Sequence, residues 1–144
     1  MRNLILLITL TLSTFSLFAQ QSDRYTQAMI NEAKEAGEIL VFEQKTIPLG
    51  SIEKGSFPEM TFRFLNISEE VIEYSFFDVC SCSQLEYDRD AKIKPGEEGE
   101  FKIVFDSKER EDEEPVEVNF ELKNKDKRVN MGYFYTVYYT FNFK

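Results

Sequence analysis

The sequence predicts an all-β domain in which two antiparallel sheets stack face to face behind a short N-terminal helix. Three observations predict this fold. Apolar and polar residues alternate with a period of two from Glu38 onward, turn-forming residues separate the alternating segments, and no long segment has helical periodicity. About seven strands of this kind bury their apolar faces most simply against a second sheet. We therefore expect a β-sandwich over residues 38–144.

The first twenty residues, MRNLILLITLTLSTFSLFAQ, have the pattern of a secretory signal peptide. Arg2 supplies a basic start, residues 4–18 are apolar or carry hydroxyls, and Ala19 is the small residue of a cleavage site. The run is short for a membrane span, so we expect residues 1–19 to be removed rather than kept as an anchor. The mature protein would then be periplasmic or extracellular, not membrane-embedded, in a compartment where disulfides persist.

Residues 20–37 are predicted to form a short helix and linker. We expect a helix over residues 23–36, with Ser22 as its N-cap and Gly37 at its end. Its narrow apolar stripe consists of Tyr25, Met29 and Ala33.

The strands follow in order. Residues 38–52 are predicted to form one edge strand broken around Pro48, because proline cannot donate to a central ladder. In the later strands, alternation assigns one row of residues to the core. The predicted inward residues are Met60, Phe62 and Phe64; Ile72, Tyr74 and Phe76; Phe101, Ile103 and Phe105; Val116, Val118, Phe120 and Leu122; and Tyr133, Tyr135, Val137, Tyr139, Phe141 and Phe143. Because each buried ring contributes about 1.5–3 kcal/mol, this immunoglobulin-like core needs neither metal nor disulfide.

The composition excludes several functions. The chain has 17 Lys and Arg against 26 Asp and Glu, and it has no histidine. A nucleic-acid partner would require a basic face. Without histidine there is no Ser-His-Asp or Cys-His arrangement, and no group has an ordinary pKa near neutrality. No paired carboxylates with glycosidase spacing and no glycine-rich phosphate loop are present. We therefore expect a protein that is not an enzyme and has no cofactor.

Several short motifs carry a family resemblance. They are LGSIEKG (residues 49–55), FRFLN (62–66), Cys-x-Cys (80–82) and IKPGEEGEFKIVF (93–105). In order and spacing they resemble a bacterial secreted family of unknown function, with Cys-Gly-Cys and Ile-x-Pro-Gly motifs, in the Hydin, major sperm protein and PapD branch of immunoglobulin-like sandwiches. The resemblance covers residues 47–143 and implies a fold and a compartment. Ser81 and Ser83 stand where the family has glycine and threonine.

The only two cysteines, Cys80 and Cys82, have one residue between them. On an extended strand their Cα atoms would lie about 6.6 Å apart, near the upper limit for a disulfide, so pairing requires a kink. Loop entropy favours so small a ring by only about 1.6 kcal/mol, which predicts a labile bond. The alternative is two buried apolar side chains, because strand parity continues the inward phase of Ile72, Tyr74 and Phe76.

A metal site is a further interpretation of the two cysteines. Without histidine, a closed zinc site would have to combine Cys80 and Cys82 with Asp78, Asp88 or Asp90, which is an uncommon ligand set. Two soft thiolates could instead hold monovalent copper. Under this alternative the protein is a small thiol or copper carrier, and copper is its cofactor.

The second face of the last strand carries Phe134 and Tyr138 among Thr136, Thr140 and Asn142. Two aromatic side chains are more than a solvated face requires, and exposed aromatics are favoured at interfaces. We hypothesise that Phe134 and Tyr138 bind a partner, in part by strand addition to a neighbouring edge. The alternative is that the N-terminal helix covers this face, with Met29 and Ile30 docked on it.

Together these features predict a non-catalytic extracytoplasmic binding or scaffolding module with a protein partner in the cell envelope. The thiol or copper carrier is the alternative from a different class. A third hypothesis, a chaperone for secreted strands, would need an open sheet edge.

Overall fold

The structure is a computed structural model that describes residues 24–144. It confirms the predicted sandwich, with eight strands instead of about seven. The elements are α1 (Gln27–Glu35), β1 (Leu40–Phe42), β2 (Thr46–Ile52), β3 (Glu59–Asn66), β4 (Tyr74–Val79), β5 (Ser83–Glu86), β6 (Glu98–Phe105), β7 (Val116–Asp126) and β8 (Met131–Phe143). The first sheet has the order β1-β3-β6-β5 and the second β2-β8-β7-β4. All neighbouring strands are antiparallel except β2 and β8, which are parallel.

The predicted edge strand over residues 38–52 is two strands in different sheets. β1 pairs with β3 in the first sheet, and β2 pairs with β8 in the second. The chain crosses between the sheets at residues 43–45, not at Pro48, so the predicted break was wrong. Pro48 lies inside β2, which tolerates it because β2 is an edge strand. The register with β8 shifts just after it, where Gly50 has a φ of 69°.

Rows of aromatic residues from both sheets fill the core. Phe120 of β7 lies at its centre, with its ring centroid 5.2 Å from Phe77, 5.3 Å from Phe101 and 5.5 Å from Tyr135. The predicted inward rows of β3, β6, β7 and β8 all pack in this core, with only the terminal Tyr133 and Phe143 partly exposed. The alternation in these four strands therefore predicted the core correctly.

Strand β4 departs from its predicted alternation. Tyr74 pairs with Leu122 and Phe76 with Glu121, so Ser75 is an extra residue in a β-bulge. The bulge reverses the phase, so that Phe77 faces the core and Phe76 faces solvent with 45% of its surface exposed. The predicted inward position of Phe76 was wrong for this reason.

The helix begins later than predicted and docks elsewhere. Thr26 caps it by accepting a hydrogen bond from the Met29 N–H (3.3 Å), and Gly37, with a φ of 77°, follows its end as predicted. Ser22 and the signal-peptide residues lie outside the described residues. Met29, Ile30 and Ala33 pack on Val41 and Leu65 of the first sheet. The helix therefore does not cover the second face of β8. No helix within residues 24–144 is long and apolar enough to cross a bilayer.

Asn66 joins the end of β3 to the Pro95-Gly96 turn. Its side chain is fully buried, and its amide nitrogen donates to the carbonyls of Glu70 (2.8 Å) and Ile93 (2.9 Å). Its amide oxygen accepts from the backbone N–H and the hydroxyl of Ser68 at 2.9 and 2.7 Å. Its backbone carbonyl accepts from the Gly96 N–H at 2.9 Å. Asn66 thus ties together two of the segments that carry the family resemblance.

Asn66→Asp is expected to destabilise the domain by about 3 kcal/mol, because a carboxylate oxygen would face two carbonyl oxygens in place of two hydrogen bonds. Urea unfolding followed by circular dichroism measures the change. Asn142→Asp is the matched control, since Asn142 is exposed near the end of β8 and should change stability by less than about 0.5 kcal/mol. Equal effects of the two substitutions would contradict the role of Asn66.

Candidate functional site

Cys80 and Cys82 lie in the tight turn that carries the chain from β4 in the second sheet to β5 in the first. The Ser83 N–H donates to the Cys80 carbonyl at 2.9 Å and closes the turn. The turn brings the two Cα atoms to 5.1 Å, within the usual range for a disulfide, and the two sulfur atoms are bonded. The kink that pairing requires is therefore present. Strand parity does not explain the position of either cysteine, because β4 is bulged and ends at Val79.

The two sulfur atoms have different surroundings. Cys82 is only 3% exposed and belongs to the core, whereas Cys80 is partly exposed at its margin. The Cys82 Sγ lies 3.8 Å from the Tyr139 hydroxyl and 4.0 Å from the Ser83 hydroxyl. Those two hydroxyls are hydrogen-bonded to each other at 2.7 Å. The Cys82 N–H points to the Cys80 Sγ at 3.1 Å.

Tyr139 is held as a neutral phenol beside the disulfide. Burial raises its pKa, and the hydrogen bond with Ser83 and the charge of Arg110 oppose this only partly. Sequence reasoning missed Ser83 and Tyr139 as neighbours of the cysteines. Ser81, where the resemblance implied glycine, has a negative φ, so the turn does not need glycine there.

The metal interpretation finds few ligands in this region. Within residues 24–144 no three His, Cys, Asp or Glu side chains are grouped so that they could hold a metal ion. A copper ion here would therefore have only the two sulfur atoms of Cys80 and Cys82 as thiolate ligands, and both would have to be reduced first. The copper alternative stays a prediction.

The predicted partner residues Phe134 and Tyr138 lie together on the outer face of the second sheet. Across this face, Phe76 of β4 pairs with Glu121 of β7, and Glu121 pairs with Phe134 of β8. Phe134 is 57% exposed, and Tyr138 is half-buried. We call this surface the aromatic–acidic face. Its residues are Phe76, Asp78, Glu117, Glu121, Phe134 and Tyr138.

The carboxylates of the aromatic–acidic face have no basic partner in the described part of the chain. Asp78, Glu117 and Glu121 form no ion pair within residues 24–144. Lys123, two residues after Glu121 on the same side of β7, pairs with Glu73 at 2.9 Å. Three carboxylates without an ion-pair partner within residues 24–144 therefore lie on the same sheet face as the exposed rings.

The outer face of the first sheet is organised differently. Lys102 pairs with Glu86 at 2.8 Å and with Glu59 at 3.4 Å, and Arg63 pairs with Glu100 at 3.2 Å. Helix α1 covers the β1 side of the same face. The carboxylates around Phe76, Phe134 and Tyr138, in contrast, form no ion pair within residues 24–144.

The aromatic–acidic face ends at an open sheet edge. β4 pairs only with β7, so its opposite side has no strand partner within the described residues. The other edge of this sheet is β2, which contains Pro48 and a register shift. Sequence reasoning missed Phe76, although the adjacent pair Phe76 and Phe77 was a usable signal, because neighbouring residues of a strand face opposite sides.

Residues 40–132 match the model of a protein family of unknown function, DUF1573. The chain belongs to this family. This confirms the family resemblance. The motifs indicated residues 47–143, so the matched region both starts and ends earlier in the chain. None of the curated proteins matches the sequence.

Solved structures with a similar fold share little sequence with this domain. VesB protease of Vibrio cholerae gives a TM-score of 0.56 at 13% identity, covering 78% of this chain and 34% of that one. A protein of unknown function from Porphyromonas gingivalis W83 gives 0.54 at 12%, covering 72% and 46%. The PapD-like domain 7 of human CEP192 gives 0.53 at 11%, covering 74% and 85%. The chain spans about a third of the first structure and less than half of the second. These likenesses show the fold alone.

The Cys80–Cys82 bond is predicted to open under millimolar mild reductant while the domain stays folded, because the three-residue ring contributes only about 1.6 kcal/mol and the apolar rows of both sheets make up most of the core. Thiol labelling at increasing reductant concentrations measures opening, and circular dichroism monitors the fold. The control is the same treatment in denaturant, where the bond opens regardless of structure. A bond that survives in the folded sample contradicts lability.

Proposed function

We propose that this domain is a non-catalytic extracytoplasmic binding module that holds a protein partner of the cell envelope on the aromatic–acidic face and the adjoining β4 edge. One observation carries the proposal. Phe76 and Phe134 are exposed on either side of Glu121 in one row across the sheet, and no described residue covers them. Exposed aromatics beside polar groups are typical of interaction sites.

The charges of this face define the partner's chemistry. Three carboxylates without basic partners attract Lys or Arg side chains, and the exposed rings offer apolar and cation–π contacts. A strand added along β4 would place alternate side chains above the outer face, beside Phe76 and Asp78. The proposed partner is therefore an extended polypeptide segment in which basic and apolar side chains share one face.

The other parts of the proposal have separate support. Export is supported by the signal-peptide pattern of residues 1–19 and by the Cys80–Cys82 disulfide, since disulfides persist outside the cytoplasm. The absence of histidine from the sequence supports a non-catalytic role, because a serine-protease triad cannot be built without it. The match to VesB protease spans about a third of that structure and carries no activity with it.

The double substitution Phe134→Ser with Tyr138→Ser is expected to abolish partner binding and to leave the domain folded, because neither side chain is in the core. A photo-crosslinking amino acid at position 76 in the full-length protein, expressed in its own host, reports binding as a crosslinked protein band. The double variant should lose the band at a cost of less than about 1 kcal/mol of stability. Phe57→Ser is the matched control, since Phe57 is 61% exposed in the loop between β2 and β3.

Two results would overturn this part of the proposal. One is unfolding of the double variant, which would make the face structural. The other is an unchanged crosslink when Phe134 and Tyr138 are both replaced.

The double variant Glu117→Lys with Glu121→Lys reverses two acidic charges of this face. We expect it to weaken the same crosslink at least tenfold, because Lys side chains would repel a basic partner segment. The matched control is Glu32→Lys with Glu35→Lys. Those two residues are exposed on helix α1 at the first sheet, and the change in net charge is the same. If both double variants weaken binding equally, the partner responds to total charge and not to this face.

A further inference from the structure

We propose that Cys80–Cys82 is an exchange-active disulfide that oxidises a dithiol, with Cys80 as the attacked sulfur and Cys82 as the leaving thiolate. This activity is independent of partner binding on the aromatic–acidic face. It is carried by the unequal environments of the two bonded sulfur atoms at the turn between β4 and β5.

Access decides which sulfur is attacked. A thiolate approaches a disulfide along the line of the S–S bond, so the attacked sulfur must be open to solvent on the side away from its partner. Cys82 is 3% exposed and packs in the core, which closes that approach. Cys80 is partly exposed at the core's margin, so it is the more accessible of the two cysteines.

Burial disfavours a thiolate on Cys82, and polar groups beside its sulfur offset part of that cost. The hydroxyls of Tyr139 and Ser83 lie 3.8 and 4.0 Å from its Sγ, within reach of a hydrogen bond to sulfur. Either hydroxyl can direct its proton to a thiolate, and a hydrogen bond to an anion is stronger than one to a neutral group. The charge of Arg110 acts on Tyr139 and favours an anion in the same region. These groups lower the cost of negative charge on a buried sulfur.

The backbone keeps the two thiols together after the bond opens. The Ser83 N–H donates to the Cys80 carbonyl at 2.9 Å, and the Asp106 N–H donates to the Cys82 carbonyl at 2.8 Å. β5 is also paired with β6 from Ser83 onward. None of these contacts involves the S–S bond, so reduction does not require unfolding and reoxidation can follow.

The exchange is a two-electron transfer from the dithiol to the protein. One thiolate of the dithiol attacks the Cys80 Sγ, the S–S bond breaks, and its electron pair leaves on the Cys82 Sγ. The second thiolate of the dithiol then attacks the dithiol's own sulfur in the mixed disulfide and releases Cys80. The dithiol becomes a disulfide, and its two protons go to the Cys80 and Cys82 thiolates. The small entropic gain of a three-residue ring favours this direction.

The wild-type protein tests the site of attack directly. The full-length protein is exposed briefly to reduced glutathione, quenched with acid, alkylated in denaturant and mapped by mass spectrometry. We expect at least ten times more glutathione on Cys80 than on Cys82. Equal labelling, labelling of Cys82, or the absence of any adduct would overturn the proposal. In parallel, each molecule of protein should oxidise one molecule of dithiothreitol. The double variant Cys80→Ser with Cys82→Ser should yield no oxidised dithiothreitol.

Single-cysteine variants measure the difference in accessibility between the two sulfur atoms, with each cysteine now acting as the attacking thiol. With oxidised glutathione, Cys82→Ser protein, which keeps Cys80, should form a mixed disulfide at least tenfold faster than Cys80→Ser protein. Circular dichroism confirms that each variant is folded, and the wild-type mapping decides the question if one is not. Equal rates in two folded variants would contradict the proposal.

Tyr139→Phe tests the leaving group, since it removes the hydroxyl and keeps the ring. We expect reduction by dithiothreitol to slow several-fold and its pH profile to change, whereas Tyr133→Phe, near the start of β8 (Met131–Phe143) and far from the disulfide, should leave both unchanged. Equal behaviour of these two variants would contradict the role given to the Tyr139 hydroxyl. Failure of partner binding in the aromatic–acidic variants leaves this chemistry unaffected, so the two proposals fail separately.

Discussion

The packing of aromatic rings between the two sheets is the interaction on which the rest of the structure depends. Phe120 contributes from the second sheet and Phe101 from the first, and their rings meet edge to face at 5.3 Å. Since side chains alternate along a strand, fixing one row inward fixes the next row outward. Phe77 in the core leaves Phe76 exposed, and Tyr139 in the core leaves Tyr138 on the outside. The packing of the core therefore decides which residues the outer face of the second sheet exposes.

The same packing creates the asymmetry of the disulfide. The ring of Tyr139 lies 5.1 Å from that of Phe105, which holds its hydroxyl beside Ser83 and Cys82. The turn between β4 and β5 connects the two sheets across the core. Cys82 therefore lies in the core, and Cys80 lies at its margin. A cysteine pair on a straight strand would have placed both sulfur atoms on one face with similar exposure. The crossing between sheets makes the two sulfurs chemically different.

Much of the fold could be predicted from the sequence, because uninterrupted alternation in β3, β6, β7 and β8 marks one buried row per strand. The sequence-based predictions failed at two places: where an extra residue reverses the inward–outward alternation of a strand, and where the chain crosses from one sheet to the other. The bulge at Ser75 has no signature in a binary pattern apart from the adjacent Phe76 and Phe77. The crossing at residues 43–45 contains neither glycine nor proline, whereas Pro48, which looks like a break, is tolerated at an edge.

The candidate sites were only partly predictable for a related reason. Phe134 and Tyr138 could be found because two aromatics stand among Thr and Asn on one face of a single strand. The acidic residues around them come from other strands, and only the register shows that Glu121 lies between Phe76 and Phe134. Ser83 and Tyr139 are separated by 56 positions in the chain. Local periodicity cannot bring such residues together, because pairing order and sheet crossings decide their distance.

The two outer faces differ in how their charges are arranged, and this difference supports the proposed partner site on the second sheet. Exposed ion pairs such as Lys102 with Glu86 contribute at most about 1 kcal/mol each, so stability does not explain why Asp78, Glu117 and Glu121 lack such pairs within residues 24–144. Like charges and exposed rings gathered on one sheet are neutral or unfavourable for the isolated domain. A basic, partly apolar segment laid on that face would satisfy both features at once.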